Sequence, residues 1–415
     1  MDLLHSSASS SIAVRYFRLH HHRPPSLAPR RRTCFSPVRS SLPSPIREAK
    51  YRRELEAAVA VVERACRLCV DVQKSLLSSD GSIVEKNDQT PVTIADFGVQ
   101  ALVSLELGKL FPSIPLVAEE DSGFVRANNL VDSVVSVVTD HASSEDKPLE
   151  HDNVLAAIDR GGKNPIVYGT KPATYWVLDP IDGTRGFVRG NKALYVVGLA
   201  LVVEGEIVLG IMGCPNWPDN VSYTTANEAG NFLSGSGTLV VAHVGCGTWR
   251  RELSNALGRS AQVLDGWTRC IVDECHLVPG AKFCLSDSQT WDSLPLSASF
   301  SATNDPDSVG NKEILILPTC CGSLCKYLMV ASGRASVFIL RLKAQRTTKA
   351  WDHAVGLLCV HEAGGKVSDW KGEPLDFTAD QVERRIIFPS SGILVTNGKL
   401  HDRILETIAS SSAIV

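Results

Sequence analysis

Between residues 48 and 77 the apolar positions Leu55, Val59, Val62, Cys66, Cys69 and Val70 recur at helical spacing, with charged residues between them. That spacing predicts one long amphipathic helix with a buried stripe. A second helical stretch begins after Thr93, runs to Leu110 and stops before Pro112. Thr93 and Asp96 fit a capping box at its start, the hydroxyl bonding a helical amide and the carboxylate reaching back. Weaker helical patterns follow at 130–138 and 153–159, around a polar loop at 143–152. The period then changes. Residues 175–178 form a short apolar, partly β-branched run that reads as a buried strand, and 193–203 and 206–212 read as a hairpin hinged at Glu204-Gly205. Residues 214–247 stay strand-like and turn-like, 248–257 is basic with a helical expectation, 261–278 has no clear period, and 286–312 reads as a surface loop. Beyond it the pattern predicts a strand at 314–318, a helix to Ser332, a strand at 335–340 ending at Arg341, and an apolar helix that carries Asp352 in its first turn and closes at Gly364-Gly365.

The 415 residues are 44% hydrophobic and 21% charged, ordinary for a globular chain of two domains or one large layered one. No apolar run reaches membrane-spanning length. The net charge of −3 conceals an asymmetry. Residues 1–46 hold seven Arg and a single acid, which leaves 35 bases against 44 acids, a net of −9, in the remainder. Such an acidic body argues against nucleic-acid binding, and no membrane partner is expected. The leader is rich in Ser, Arg, His and Pro and lacks the long apolar centre of a secretory signal, so it reads as an organellar transit peptide. A short basic amphipathic patch at 12–19 tilts the expectation toward the mitochondrion, with the chloroplast as the other destination. Nothing in the sequence fixes oligomeric state, and a monomer is compatible with it.

Candidate chemistry gathers where apolar runs end in acids. The strand at 175–178 stops at Asp179 and Asp182, three apart with Pro180 between them. Gly183 lets the chain turn, and the amides of Gly183 and Thr184 sit where a helix would begin, a natural anion site. Acids for a divalent metal beside amides for phosphate describe a metal-assisted phosphoryl site. A surface turn would also use Asp, Pro and Gly. The run at 116–118 likewise ends in Glu119-Glu120-Asp121, and the helix dipole alone would favour an acid at Asp352. Convergence of Asp96, Glu119, Asp179, Asp182 and Asp352 would build a Mg²⁺ site from hard oxygen ligands. The twelve Cys are too dispersed for a disulfide framework. Cys66 and Cys69 have the spacing of a metal pair but fall on the buried stripe, and Cys320, Cys321 and Cys325 lack His partners at finger spacing.

The Asp179-Pro-Ile-Asp-Gly-Thr184 core, the Glu119-Glu-Asp121 cluster and Trp351-Asp-His-Ala354, in this order, resemble the lithium-sensitive, Mg²⁺-dependent phosphatases, the inositol monophosphatases and fructose bisphosphatases. Within that superfamily Asn87-Asp-Gln-Thr-Pro-Val-Thr-Ile-Ala-Asp96, Cys325-Lys-Tyr327 after Gly322-Ser323, and the long gap between Glu119 and Asp179 resemble the 3′(2′),5′-bisphosphate nucleotidases. The leader is similar to that of plant-type organellar members. The resemblance spans about residues 50–410. It implies an α/β fold, a five-layer αβαβα sandwich, with an N-terminal α+β half over 47–245 holding most metal ligands. A C-terminal α/β half over 246–415 would hold the substrate residues and Asp352. It also implies two or three Mg²⁺ ions: one on Glu119, Asp179 and the Ile181 carbonyl, a second on Asp179, Asp182 and Asp352, and a third or its waters on Asp96 and Glu119. Asp96 with Thr184 would orient and deprotonate a water. The amides of Gly183, Thr184 and Arg185 would hold the phosphate, and Ser323, Lys326, Arg341 and Asp352 would meet the rest of the substrate.

Two departures from the nucleotidase pattern fall on the nucleotide side. Ser286-Asp-Ser288 stands where those enzymes carry a His, and the run from Arg341 to Asp352 is shorter than theirs and lacks a Pro. The implied activity is removal of the 3′-phosphate of adenosine 3′,5′-bisphosphate to give AMP, extending to its sulfated relative. The alternatives are an inositol phosphate phosphatase on the same fold and a non-catalytic nucleotide-binding regulator. Loss of Asp182 is expected to abolish turnover with the fold intact, and Cys320-Cys321 beside the substrate residues raises oxidation as a lever on activity.

Overall fold

The computed structural model describes residues 42–78, 84–85, 91–143, 149–162, 173–190, 193–218, 236–253, 266–286, 291, 294, 296, 314–320, 322–342 and 347–412. Nearly all of the leader, most of the 286–312 loop and Cys321 lie outside these residues.

The periodic stripe at the start of the chain folds as helix α1 (Arg52–Ser78), whose Leu55, Val59, Val62, Cys66 and Cys69 are fully buried. Cys66 and Cys69 are free thiols in that core, and burial raises the pKa of both. They act there as small hydrophobes. After a two-residue strand pair, β1 (Val84–Glu85) and β2 (Pro91–Val92), comes α2 (Ile94–Leu110) with the capping box in place at Thr93 and Asp96. Strand β3 (Leu116–Ala118) leads to the short α3 (Ser122–Ala127), then α4 (Val131–His141) and α5 (His151–Gly161).

The large sheet is built on β4 (Thr174–Asp182), followed by helix α6 (Thr184–Arg189), β5 (Val196–Val203), β6 (Glu206–Cys214), β7 (Thr238–His243), β8 (Gly247–Glu252) and β9 (Thr268–Arg269). Its order is β3-β4-β5-β6-β7-β8-β9, with β3 parallel to β4 and the rest antiparallel. The hairpin at Glu204-Gly205 turns with φ of 54° and 91° at the two positions, the twist that a two-residue connection needs. The helical expectation for 248–257 is overturned over its described part. Residues 247–252 pair with β7 as a strand, and Arg251 reaches Glu63 of α1, so the basic residues there decorate a sheet.

The chain continues through β10 (Lys282–Ser286), β11 (Leu315–Thr319), α7 (Leu324–Ala331), β12 (Val337–Arg341), β13 (Thr348–Lys349), α8 (Ala354–Glu362), β14 (Lys366–Asp369), β15 (Ile386–Ile387), β16 (Gly392–Thr396) and α9 (His401–Ser412). A smaller sheet takes the order β11-β10-β12-β16-β14.

Alternation along β4 assigns the layers. Trp176 and Leu178 pack with α1 and α2, whereas Tyr175 and Val177 pack with α7 and α8. The smaller sheet closes α7 and α8 from the other side and carries α9 on its far face. Outside α2 lies a further cluster with α3, α4 and α5. The succession is helices, sheet, helices, sheet, helix, the five-layer sandwich that the sequence resemblance implies. Glycines let the middle layer sit close to the large sheet. A Cβ at Gly198 would lie 2.4 Å from Leu324 of α7, and one at Gly210 would lie 2.8 Å from Val355 of α8. No helix among the described residues is long and apolar enough to cross a membrane.

Candidate active site

The end of β4 makes the centre of the site. Residues three apart on a regular strand face opposite sides of the sheet, which would separate Asp179 from Asp182. The pairing of β4 with β5 shifts register between these two residues. One extra residue in a strand resets the alternation. Ile181 then packs toward α1, and Asp182 returns to the face of Asp179 and turns toward α7. Ligand oxygens of Asp179, Asp182 and Asp352 consequently lie within 4.8 Å of one another. Pro180, which donates no ladder hydrogen bond, suits the irregular position.

These acids stand in a low-dielectric pocket. Asp179 is 2% exposed, and its Oδ1 is buried with no hydrogen-bond partner among the described residues. Its carboxyl is held well above the ordinary carboxylate range, first by burial and then by the charges of Asp182, Glu119, Asp352 and Asp96. All four other acids singled out in the sequence therefore act on this one group. Burial also raises Asp182, to about 6, against the pull of Lys326 and of the Ser323 and Leu324 amides. An unpartnered buried carboxylate oxygen among four further acids is unfavourable by itself. A hard divalent cation would satisfy the oxygen and offset the repulsion, so the donor set fits Mg²⁺.

Asp96 is held by its own helix start: Oδ2 accepts the Thr93 N–H and Thr93 Oγ1, each at 2.8 Å. Its other oxygen, Oδ1, lies 3.2 Å from Thr184 Oγ1, which is also 3.1 Å from the Ile181 carbonyl. The Thr184 hydroxyl has one proton to offer these two acceptors. Gly183 adopts φ 90° and ψ 42°, and the ladder of α6 begins with the Gly186 N–H donating to Gly183 O, so the amides of Gly183, Thr184 and Arg185 precede it.

Asp182 has a second set of partners. Its Oδ1 accepts the Ser323 N–H at 2.9 Å and its Oδ2 the Leu324 N–H at 2.7 Å. It thus caps α7 as well as facing the acid cluster. Asp352 sits in a turn ahead of α8 rather than in its first turn, because His353 departs from helical backbone and the helix starts at Ala354. His353 is buried, 3.0 Å from Tyr327 Oη on α7, and burial lowers its pKa to about 3, so it is a neutral brace between the two helices.

The substrate candidates are more scattered. Ser323 is the residue before α7. Lys326 is 3% exposed, and its Nζ donates to the Gly322 carbonyl. Arg341 is the exposed last residue of β12, a central strand of the smaller sheet. Ser286 pairs with Thr319 across β10 and β11, and residues 287–288 and 343–346 lie outside the described residues. Cys320 is disulfide-bonded and accepts from Arg189 Nη1 at 3.0 Å.

Two contributors escape a sequence reading. Gln100, one helical turn beyond Asp96, is fully buried and accepts the Glu120 N–H at 2.9 Å while donating to the Glu120 carbonyl at 2.6 Å, fixing the acidic turn after β3. Gly322 has φ 68°, and a Cβ there would lie 2.2 Å from Asp182 Oδ2. The spacing of Gln100 from Asp96 and a Gly before a cap-like Ser were the signals present. Neither names its partner.

The inositol monophosphatase family model matches residues 44–413. A relative from Arabidopsis thaliana, named provisionally as a mitochondrial 3′(2′),5′-bisphosphate nucleotidase, is 61% identical over 413 residues, 99% of each chain. The 3′,5′-bisphosphate nucleotidase 2 of the same plant is 38% identical, covering 87% of this chain and 97% of its own. Among solved structures the Thermotoga maritima IMPase TM1415 aligns with a TM-score of 0.51 at 19% identity, over 87% of this chain and 98% of its own.

Proposed function

The chain belongs to the inositol monophosphatase family, and from that premise we propose that it is a Mg²⁺-dependent phosphatase that removes the 3′-phosphate of adenosine 3′,5′-bisphosphate. The observation that carries this reading is the meeting of Asp179, Asp182 and Asp352 around a buried carboxylate oxygen that has no hydrogen-bond partner among the described residues. The nucleotidase names of relatives at 61% and 38% identity support the substrate.

Two or three Mg²⁺ ions on Glu119, Asp179, the Ile181 carbonyl, Asp182, Asp352 and Asp96 would neutralise phosphate oxygens, lower the pKa of water and steady the departing ribose oxygen. The chain's own groups supply the rest. Thr184 donates a hydrogen bond to Asp96 Oδ1 at 3.2 Å, so its oxygen can accept a hydrogen bond from an attacking water, whose proton passes through the hydroxyl to the Asp96 carboxylate as the water attacks phosphorus and the ribose oxygen departs. Amides at Gly183, Thr184 and Arg185 hold the phosphate where charge develops. Ser323, Arg341 and Lys326 face the remainder of the nucleotide, with Lys326 contributing its charge from a buried position.

The test is a side-by-side turnover panel with adenosine 3′,5′-bisphosphate, its sulfated relative and inositol phosphates. Preference for the bisphosphate carries the proposal; preference for inositol phosphate moves it to the alternative on the same fold, and no phosphate release with Mg²⁺ leaves a non-catalytic nucleotide binder. The Arg-rich, acid-poor leader and the relative's mitochondrial name support import into the mitochondrion. Imaging a fluorescent fusion of the leader tests that destination against the chloroplast.

A further inference from the structure

Arg385 belongs to no motif, yet its contacts run to both sides of the acid cluster. Its carbonyl accepts the Ala350 N–H at 2.8 Å, and its guanidinium carbon lies 4.9 Å from the Trp351 ring centroid, which fixes the segment that ends at Asp352. On the other side Nη2 donates to the Glu119 carbonyl at 3.3 Å, and Nη1 donates to the Gly162 carbonyl at 3.0 Å.

The Glu119 contact has a particular geometry. The peptide group joining Glu119 to Glu120 offers its carbonyl to Arg385, while its N–H goes to Gln100 Oε1. One peptide plane is thus held at both polar ends by side chains from opposite directions, and its rotation would carry the Glu119 carboxylate with it. Gly162 packs tightly against the next peptide group, where a Cβ would lie 1.8 Å from the Glu120 carbonyl oxygen. Arg385 is itself well anchored. Asp380 collects the amides of Val382, Glu383, Arg385 and Ile386, folding this turn into one unit.

We propose that Arg385 is a positioning residue of the metal site, spacing the Glu119 arm from the Asp352 arm through its fork on the Glu119 and Gly162 carbonyls and its face on Trp351. It holds the backbone of one proposed ligand residue and the ring beside the other, and so sets the distance between two ligands far apart along the chain. A planar fork with an aromatic face can make all these contacts at once, and lysine cannot. The alternative role, simple charge, has the opposite sign. A cation beside the acids repels Mg²⁺, so its removal would tighten metal binding.

The experiment uses the full chain and Mn²⁺ itself as probe, with binding followed by its EPR signal in wild type, Arg385→Gln and Arg385→Lys. Positioning predicts Mn²⁺ affinity about 10- to 100-fold weaker in Arg385→Gln, a clear weakening in Arg385→Lys despite its retained charge, and Mg²⁺ half-saturation of turnover rising in step while kcat at saturating Mg²⁺ stays close to wild type. Unchanged or tighter Mn²⁺ binding in folded Arg385→Gln overturns it. Should that variant not fold, Arg385→Lys decides by the same criterion, and collapse of both overturns the proposal in favour of a purely structural residue. The turnover arm rests on the proposed function and the binding arm does not. A wild type that binds Mn²⁺ but hydrolyses no bisphosphate would therefore fault the function and leave Arg385 to be judged by binding.

Discussion

The Leu324 N–H donates to Asp182 Oδ2 at 2.7 Å across 142 positions of sequence, joining the end of β4 to the start of α7. Asp182 therefore has two tasks, and the expectation that it could be lost with the fold intact needs amending. Asp182→Asn keeps one acceptor for the two amides and turns an N–H against the other. It should abolish turnover and also cost about 1 to 2 kcal/mol of stability. Phosphate release and denaturant unfolding read the two effects separately; near-normal turnover would remove Asp182 from the chemistry.

Gly322→Ala should be more damaging than its size suggests. The residue sits at φ 68° with Asp182 Oδ2 2.2 Å from the would-be Cβ, so the backbone or the carboxylate must move. We expect a loss of about 1 to 3 kcal/mol and turnover lower by about 100-fold. A variant matching wild type in melting temperature and kcat would show that the loop yields freely.

Thr184→Ala removes the hydroxyl between Asp96 and the Ile181 carbonyl without touching an acid. Turnover should fall by about 10²- to 10⁴-fold, with Mn²⁺ affinity nearly unchanged and Thr184→Ser restoring most of the rate. Parallel loss of metal affinity would make Thr184 a support for the ligands instead.

The acid cluster should make metal stabilisation depend on pH. Asp179 is raised well above its usual range and Asp182 to about 6, in both cases chiefly by burial. A carboxyl raised above its unfolded value of about 3.9 stabilises the metal-free fold below that value, and the contribution is lost as pH climbs through the folded value. Mg²⁺ competes with these protons, so the rise in melting temperature it causes should grow from about pH 5 to about pH 7. His353 and His401, lowered to about 3 and about 4 by burial, act in the other sense, favouring the fold above about pH 6.5 and losing that contribution toward acid. The Mg²⁺-dependent increment, not the melting temperature itself, is the quantity to follow, and an increment flat across this range would contradict the account.

Features set by near neighbours were legible in the sequence. The stripe of α1, the Thr93–Asp96 cap, the hairpin at Glu204-Gly205 and the acids closing β4 each rest on a few adjacent residues. What escaped depends on partners far along the chain. The β4 bulge exists only in its pairing with β5, the capping of α7 by Asp182 joins two distant segments, and residues 248–252 turned out as a strand because β7 is there to receive them. Arg385 is the extreme case, one of two adjacent arginines, singled out only by side-chain contacts to residues 119, 162 and 351 far along the chain.

Asp179, Asp182 and Asp352 should share divalent metal. Crystals grown with Mn²⁺ and measured for anomalous scattering test it directly. A peak is expected at coordinating distance, roughly 2.0 to 2.6 Å, from Asp179 and from at least one of Asp182 and Asp352. A Mn²⁺-loaded crystal with no peak between these carboxylates, or with peaks only elsewhere on the chain, would contradict it.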